Sequence, residues 1–174
     1  MLDFLKKITT FLNTNNIGYM LSGSVAMSVY ILPRATRDFD FIVHLQEKDI
    51  AALADWFWEG YYCDVDSIKD AVRNRGMFKI IDHASGFKAD FMILKDETYR
   101  RTEFDRRVKG DFLGLPIYIV TAEDLLLSKL IWIQQVQSNL QMEDIKNLKE
   151  LETLDMQYIS NWIKNSNLNT FGLV

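Results

Sequence analysis

Two carboxylates, Asp38 and Asp40, are separated by one residue in a stretch that alternates between polar and apolar side chains up to His44. This alternation predicts a β-strand, and a strand places every second residue on the same face. The two carboxylates would therefore lie side by side, where they repel each other unless a cation lies between them. A hard divalent cation such as Mg²⁺ suits these ligands and also accepts phosphate oxygens and water.

A glycine-serine turn, Gly23-Ser24, precedes the acidic strand. The apolar residues 19–21 predict a short strand that stops at this turn, and residues 24–32 have the apolar spacing of a helix. Glycine has no Cβ, so a phosphate can approach the turn closely. The unpaired amides and the dipole at the start of the helix favour an anion, and Ser24 adds a hydroxyl. The turn and the acidic strand together predict a site for nucleotide phosphates.

The segment Gly-Ser-x-Ala, followed by Arg-x-Thr-x-Asp-x-Asp at residues 34–40, resembles the signature of the DNA polymerase β-like nucleotidyltransferase superfamily. Its local form is most similar to the bacterial minimal nucleotidyltransferases of the AbiEii toxin type. The resemblance implies transfer of a nucleoside monophosphate from an NTP to an acceptor hydroxyl, with release of pyrophosphate. It also implies that Asp38 and Asp40 hold Mg²⁺ or Mn²⁺, and that Gly23 and Ser24 hold the outer phosphates.

Asp90 is a carboxylate within an otherwise apolar predicted strand, residues 87–94, which a short polar turn joins to the strand at residues 77–82 as an antiparallel hairpin. A carboxylate in such a strand needs a partner or a function. One interpretation is an ion pair with Lys88 or Lys79. The resemblance implies instead that Asp90 completes the metal site as a third carboxylate and helps to deprotonate the acceptor.

Arg34 and Thr36 match the Arg-x-Thr of the superfamily, and Lys129 matches a lysine that its members often carry on the helix after the last strand, near the nucleotide phosphates. The resemblance therefore implies that all three contact the nucleotide. Two alternatives stay open: Arg34 pairs with Asp38 instead, and Lys129 extends along the surface to solvent. Residues 143–144 loosely match the acidic positions that follow in the superfamily.

The remaining elements are predicted from hydrophobic periodicity. Helices are expected at residues 2–12, 46–59, 66–74, 121–133, 143–154 and 156–163, and strands at 61–65 and in a pair within 110–120. We predict an α/β (α+β) fold in which a small mixed β-sheet carries Asp38, Asp40 and Asp90, is flanked by helices and precedes a helical C-terminal portion. The chain is expected to form one domain, with residues 1–120 as the catalytic part and 121–174 as the C-terminal helices.

Composition favours a folded protein, because hydrophobic residues make up 48% of the 174 residues. The net charge of −4 requires any nucleic-acid contact to come from a local patch. Residues 96–109 are the best candidate, although mixed charges more often form a solvated helix face. A single cysteine, Cys63, together with the lack of a signal segment or a long apolar run, predicts a cytoplasmic protein that does not span a membrane.

Three functional hypotheses remain. The first is a metal-dependent nucleotidyltransferase whose acceptor is tRNA, a protein or a small molecule, with a toxin–antitoxin or abortive-infection system as one setting. The second is a module that binds NTP without turnover and acts through a partner protein. The third, a metal-dependent phosphohydrolase or nuclease, normally requires more histidine than His44 and His83.

Overall fold

The structure is a computed structural model that describes residues 1–33 and 35–174. In this part of the chain the centre is a seven-stranded sheet in the order β3-β4-β5-β2-β1-β7-β6. Its strands are β1 Tyr19–Ser22, β2 Asp38–Val43, β3 Tyr61–Cys63, β4 Met77–Asp82, β5 Lys88–Ile93, β6 Val108–Phe112 and β7 Leu115–Ile119. The predicted fold class, an α/β arrangement around a mixed sheet, is confirmed.

Parallel and antiparallel pairs both occur in this sheet. β2 pairs in parallel with β5, and β1 pairs in parallel with β7, whereas the other neighbouring strands are antiparallel. The predicted hairpin is β4 and β5, and the predicted later strand pair is β6 and β7. Because β1, β2 and β5 are neighbours, the centre of the sheet joins the glycine-serine turn, the Asp-x-Asp strand and the strand of Asp90.

Helices surround the sheet. They are α1 Leu2–Thr14, α2 Gly23–Met27, α3 Ile50–Trp56, α4 Val65–Asn74, α5 Thr98–Asp105, α6 Ala122–Ile133, α7 Asn139–Lys149 and α8 Met156–Asn165. Among the described residues, none of these helices has the length and apolar character needed to cross a lipid bilayer.

The phenylalanines of the central strands are fully buried on one face of the sheet. The rings of Phe41, Phe91 and Phe78 stack across neighbouring strands, with centroids 5.4 Å and 4.9 Å apart. Because strand side chains alternate between faces, burial of these rings turns Asp40 and Asp90 to the opposite face. The aromatic stack therefore fixes which side of the sheet carries the carboxylates.

The helix predicted at residues 24–32 is wrong in its length, because α2 ends at Met27. The chain continues in turns whose backbone N–H groups donate to carbonyls three residues earlier. The Ser28 hydroxyl also donates to the Val25 carbonyl at 2.6 Å, and such local bonds compete with continuation of a helix. Leu32, predicted to be helical, is 90% exposed.

The helix predicted at residues 46–59 is shorter than expected. It begins as a 3₁₀ turn, Glu47–Asp49, and continues as α3 only to Trp56. Phe57 is buried, whereas Trp56 is exposed, and its indole N–H donates to the Lys7 carbonyl at 3.3 Å. A tryptophan needs a partner for its N–H, and here that partner lies at the surface rather than in the core.

The C-terminal helices are attached through the start of α6. The Thr121 hydroxyl caps the start of this helix by accepting the Asp124 N–H at 3.3 Å. The buried Asp124 carboxylate accepts hydrogen bonds from Tyr158 of α8 at 2.6 Å and from Arg106 after α5 at 2.9 Å. The prediction of a helix at 143–154 is wrong in its bounds, because α7 begins earlier, at Asn139, and ends earlier, at Lys149. The earlier start places Gln141 on the helix, where it contacts Lys129 of α6.

We expect Phe91→Ala to reduce the free energy of unfolding by about 3–5 kcal/mol, because it removes the middle ring of the stack and leaves a cavity. Urea denaturation checks this expectation. Tyr62→Ala removes an aromatic ring that is 45% exposed, and it should cost much less. Equal losses in the two variants would show that the stack does not fix the central strands.

Candidate active site

Three carboxylates lie on one face of the two central strands. Asp40 of β2 is opposite Asp90 of β5, and Asp38 is opposite Lys88, as the parallel register dictates. The structure therefore brings together, from separate segments of the chain, the three carboxylates that the sequence singled out.

Gly23 packs directly against the carboxylate of Asp40. A Cβ at Gly23 would collide with that carboxylate, and the backbone has a φ of +63°, so both the space and the conformation demand glycine. The sequence interpretation assigned Gly23 to the approach of a phosphate. The structure adds a requirement that this interpretation missed, namely the close approach of Asp40 to the first turn of α2.

Ser24, Thr36 and Arg34 are the other nucleotide contacts predicted near this turn. Ser24 is half-buried in the first turn of α2. The Thr36 hydroxyl accepts the backbone N–H of Asp38 at 3.2 Å, and this bond orders the entry into β2. Arg34 lies outside the described residues.

Lys88 lies between two of the carboxylates. Its ammonium nitrogen is 3.4 Å from Asp38 Oδ2 and 3.2 Å from Asp90 Oδ2. Burial alone would lower the pKa of Lys88, but hydrogen bonding and charge attraction from Asp90 and Asp38 outweigh it and raise that pKa. The predicted Lys88–Asp90 ion pair therefore exists, and it extends to Asp38.

The carboxylates also perturb one another. Burial raises the pKa of the Asp40 carboxyl, the charges of Asp90 and Asp38 raise it further, and Lys129 and Lys88 oppose the rise. One oxygen of Asp90, Oδ1, is buried without a hydrogen-bond partner. An unsatisfied buried carboxylate oxygen beside like charges is a site that a cation stabilises.

The residues present fit a divalent metal by their chemistry. In residues 1–33 and 35–174, no three His, Cys, Asp or Glu side chains are already grouped as a metal site. The three aspartates nevertheless offer carboxylate oxygens, which Mg²⁺ and Mn²⁺ prefer. Among these oxygens, Asp90 Oδ1 has no hydrogen-bond partner and could serve as a metal ligand.

Lys129 of α6 lines a cavity that Asp40 and Asp90 also line, and it is 5% exposed, so the alternative of a surface lysine extending to solvent is wrong. Its ammonium binds Asp144 Oδ2 at 2.8 Å and Gln141 Oε1 at 2.9 Å. Asp144 is therefore the member of the loosely matched acidic pair that faces inward, whereas Glu143 is exposed.

A second buried ion pair, which the sequence interpretation missed, lies next to Lys129. Glu103 is fully buried, and it accepts hydrogen bonds from Arg100 at 2.9 Å and from the Ser128 hydroxyl. Burial raises the pKa of the Glu103 carboxyl, while Arg100 and Ser128 oppose the rise. Nothing in the sequence distinguishes Arg100 and Glu103 from an ordinary surface pair three residues apart on a helix.

The charged stretch 96–109 is therefore not simply a solvated face. Arg100 binds Glu103, and Arg106 binds the buried Asp124. These two arginines hold α5 and the following loop to α6 through Ser128 and Asp124.

The site opens into a cavity of about 610 Å³. Gly23, Asp40 and Asp90 lie on its sheet side, and α6 closes the opposite side. Its lining also includes Met77 and Trp132, which are 54% and 48% exposed and give part of the wall an apolar character.

No protein-family model matches the sequence, and a search of curated proteins finds no relative. Solved structures do match. The structure of ANT(2'')-Ia in complex with adenylyl-2''-tobramycin has a TM-score of 0.62 at 13% identity, covering 95% of this chain and 97% of that chain. The chain has the nucleotidyltransferase fold.

Two further structures agree with this fold. The lincosamide antibiotic adenylyltransferase LnuA with lincomycin bound has a TM-score of 0.57 at 17% identity, covering 84% of this chain and 94% of that chain. A nucleotidyltransferase-like antigenic protein from Paracoccidioides brasiliensis has a TM-score of 0.54 at 15% identity, covering 92% and 85%.

We expect Gly23→Ala to displace Asp40, because the new Cβ would occupy the position of its carboxylate. The matched control is Gly86→Ala: Gly86 has a φ of +68°, but its Cβ would meet no atom within 4 Å. Both variants acquire the left-handed strain of roughly 1–2 kcal/mol. Gly23→Ala alone should also weaken Mg²⁺-dependent NTP binding, measured by calorimetry, by tenfold or more. Equal binding in the two variants would contradict the contact.

Proposed function

We propose that this chain transfers a nucleoside monophosphate from an NTP to an acceptor hydroxyl and releases pyrophosphate, with Mg²⁺ or Mn²⁺ as cofactor. The observation that carries the proposal is the register of β2 and β5, which sets Asp40 opposite Asp90 with Asp38 on the same face. The carboxylates line a cavity beside the first turn of α2, in a nucleotidyltransferase fold. This combination supports metal-dependent chemistry on nucleotide phosphates.

Asp38 and Asp40 would hold the divalent cation, which when bound polarises the α-phosphate and neutralises the charge of the leaving group. Gly23 and Ser24 would hold the outer phosphates at the first turn of α2. Lys129 would also attract the nucleotide phosphates. Its positive charge already reaches the site, because it opposes the rise in the pKa of Asp40.

The two remaining residues of the Arg-x-Thr motif take different proposed roles. Arg34 would neutralise triphosphate charge. Thr36, which accepts the Asp38 N–H, would hold the acidic strand in the position that receives the nucleotide.

Asp90 would accept the proton of the acceptor hydroxyl. The bond that forms joins the acceptor oxygen to the α-phosphorus. The bond that breaks joins the α-phosphorus to the oxygen bridging to the β-phosphate, and pyrophosphate leaves with that electron pair. Asp90 suits this role because one of its oxygens has no protein hydrogen bond and the residue lines the cavity.

For the acceptor we propose a small hydroxyl-bearing molecule rather than tRNA or a protein. The cavity volume of about 610 Å³ is typical of small-molecule sites. Two arginines of the charged stretch 96–109, Arg100 and Arg106, bind acids inside the protein, which leaves fewer cations for a nucleic-acid acceptor. Two structures of the same fold carry adenylyl-2''-tobramycin and lincomycin, both of which are small molecules.

The biological setting proposed from the sequence is a cytoplasmic toxin–antitoxin or abortive-infection system, and it rests on the AbiEii-like motif. The alternative, a module that binds NTP without turnover and acts through a partner protein, has one observation in its favour. Lys88 already binds Asp38 and Asp90, the carboxylates that turnover requires. A test of the proposal must therefore separate binding from transfer.

We expect Asp90→Asn to retain most of the NTP affinity while the transfer rate falls by about 10²–10⁴-fold, because the proton acceptor is lost. Asp40→Asn should instead lose Mg²⁺-dependent NTP binding. The measurements are calorimetry with Mg²⁺ and NTP, and pyrophosphate release with small-molecule cell extract as the acceptor source. A melting temperature on each preparation reports folding.

An Asp90 that served only as a partner of Lys88 would give the reverse pattern. The melting temperature of Asp90→Asn would fall, while pyrophosphate release per folded molecule would stay the same. That outcome would remove Asp90 from the transfer step and favour the binding module.

A further inference from the structure

We propose that the Lys88 ammonium serves as the permanent cation on the Asp90 side of the carboxylate cluster, so that this chain loads one divalent ion with its nucleotide instead of two. The inference rests on the proposed function, because it concerns how many divalent ions the same site binds together with NTP. It makes Lys88 a functional residue that the sequence interpretation treated only as an ion-pair partner.

The position of the ammonium carries the proposal. Lys88 Nζ is 3.4 Å from Asp38 Oδ2 and 3.2 Å from Asp90 Oδ2, so it bridges two carboxylates on different strands. In two-metal phosphoryl-transfer sites, the second ion lies about 3.5–4 Å from the first and contacts the attacking oxygen. Here an ammonium already contacts the carboxylate proposed to receive the acceptor's proton.

The backbone fixes this position from two directions. Lys88 is the register partner of Asp38 in the parallel pair of β2 and β5. It is also two residues before Asp90 on the same strand, so both side chains leave the same face. A lysine placed in this way reaches both carboxylates without any rearrangement of the sheet.

Burial of the Asp90 side chain makes the Lys88–Asp90 contact more persistent than an ion pair between two exposed side chains. The Asp90 side chain is 15% exposed and that of Lys88 is 37% exposed. Exposed pairs exchange readily with water and ions, whereas removal of a partner from a partly buried carboxylate leaves an uncompensated charge. A second divalent ion that used the Oδ2 atoms of Asp38 and Asp90 would have to displace Lys88 from them.

Other cations along the cavity have acidic partners of their own. Lys129 binds Asp144, and Arg100 binds Glu103. Lys88, by contrast, forms its ion pairs with the carboxylates of β2 and β5 themselves. Its removal should therefore open a place for another cation beside Asp90.

The test counts metal ions rather than turnover. Mn²⁺ is titrated into the full chain saturated with α,β-methylene-ATP, whose α–β bond cannot be broken by transfer, and electron paramagnetic resonance measures the Mn²⁺ left free. We expect one bound Mn²⁺ per chain in the wild type and two in Lys88→Met. Lys88→Arg, which keeps the positive charge, should return the count to one.

Lys79→Met is the matched control, because Lys79 lies opposite Asp90 on β4 and is exposed. The same chemical change there should leave the count at one. Melting temperatures show that each variant is folded.

The possible failures are distinguishable. Two Mn²⁺ per wild-type chain, or one per chain in folded Lys88→Met, would overturn the assignment of Lys88 and leave the proposed transferase intact. No nucleotide-dependent Mn²⁺ binding in any variant would overturn the proposed function, and the role of Lys88 with it.

Discussion

The parallel pairing of β2 with β5 is the constraint on which the site depends, because it places Asp40 directly opposite Asp90. Like charges at directly opposed positions destabilise a sheet. The aromatic stack on the other face, centred on Phe91, provides the burial that holds the strands together in spite of this repulsion. On the charged face, Lys88 offsets part of the repulsion. A bound cation, as proposed for this site, would offset the repulsion that remains between the carboxylates.

Helix α6 forms the wall opposite the carboxylates, and buried acids hold it in place. Asp124 binds groups from the α5 loop and α8, and Asp144 of α7 binds Lys129. Glu103 of α5 binds Arg100 and accepts from a hydroxyl of α6. Each buried charge has a partner on another part of the fold or within its own helix, as buried charges require. Buried hydrogen bonds and ion pairs therefore hold together the helices that bound the cavity.

Local patterns predicted the strands and the face of the carboxylates, because the alternation around Asp38 and Asp40 encodes them directly. The sequence also identified Asp90, since a carboxylate in an apolar strand is chemically conspicuous. It did not predict that Gly23 packs on Asp40, because a contact between segments leaves no local trace. The burial of Glu103 could not be predicted for the same reason. The end of α2 was also missed, because it involves a hydrogen bond from the Ser28 hydroxyl to the backbone.

The most direct test of the account follows the fate of each phosphate. The protein is incubated with Mg²⁺, with NTP labelled at either the α- or the γ-phosphate, and with cell extract that is then separated into small molecules, RNA and protein. The account predicts that α-label appears in the small-molecule acceptor fraction and that γ-label leaves only in pyrophosphate. Two results would contradict nucleotidyl transfer at this site. One is transfer of the γ-label to an acceptor, and the other is the absence of α-label from every acceptor fraction with each NTP tested.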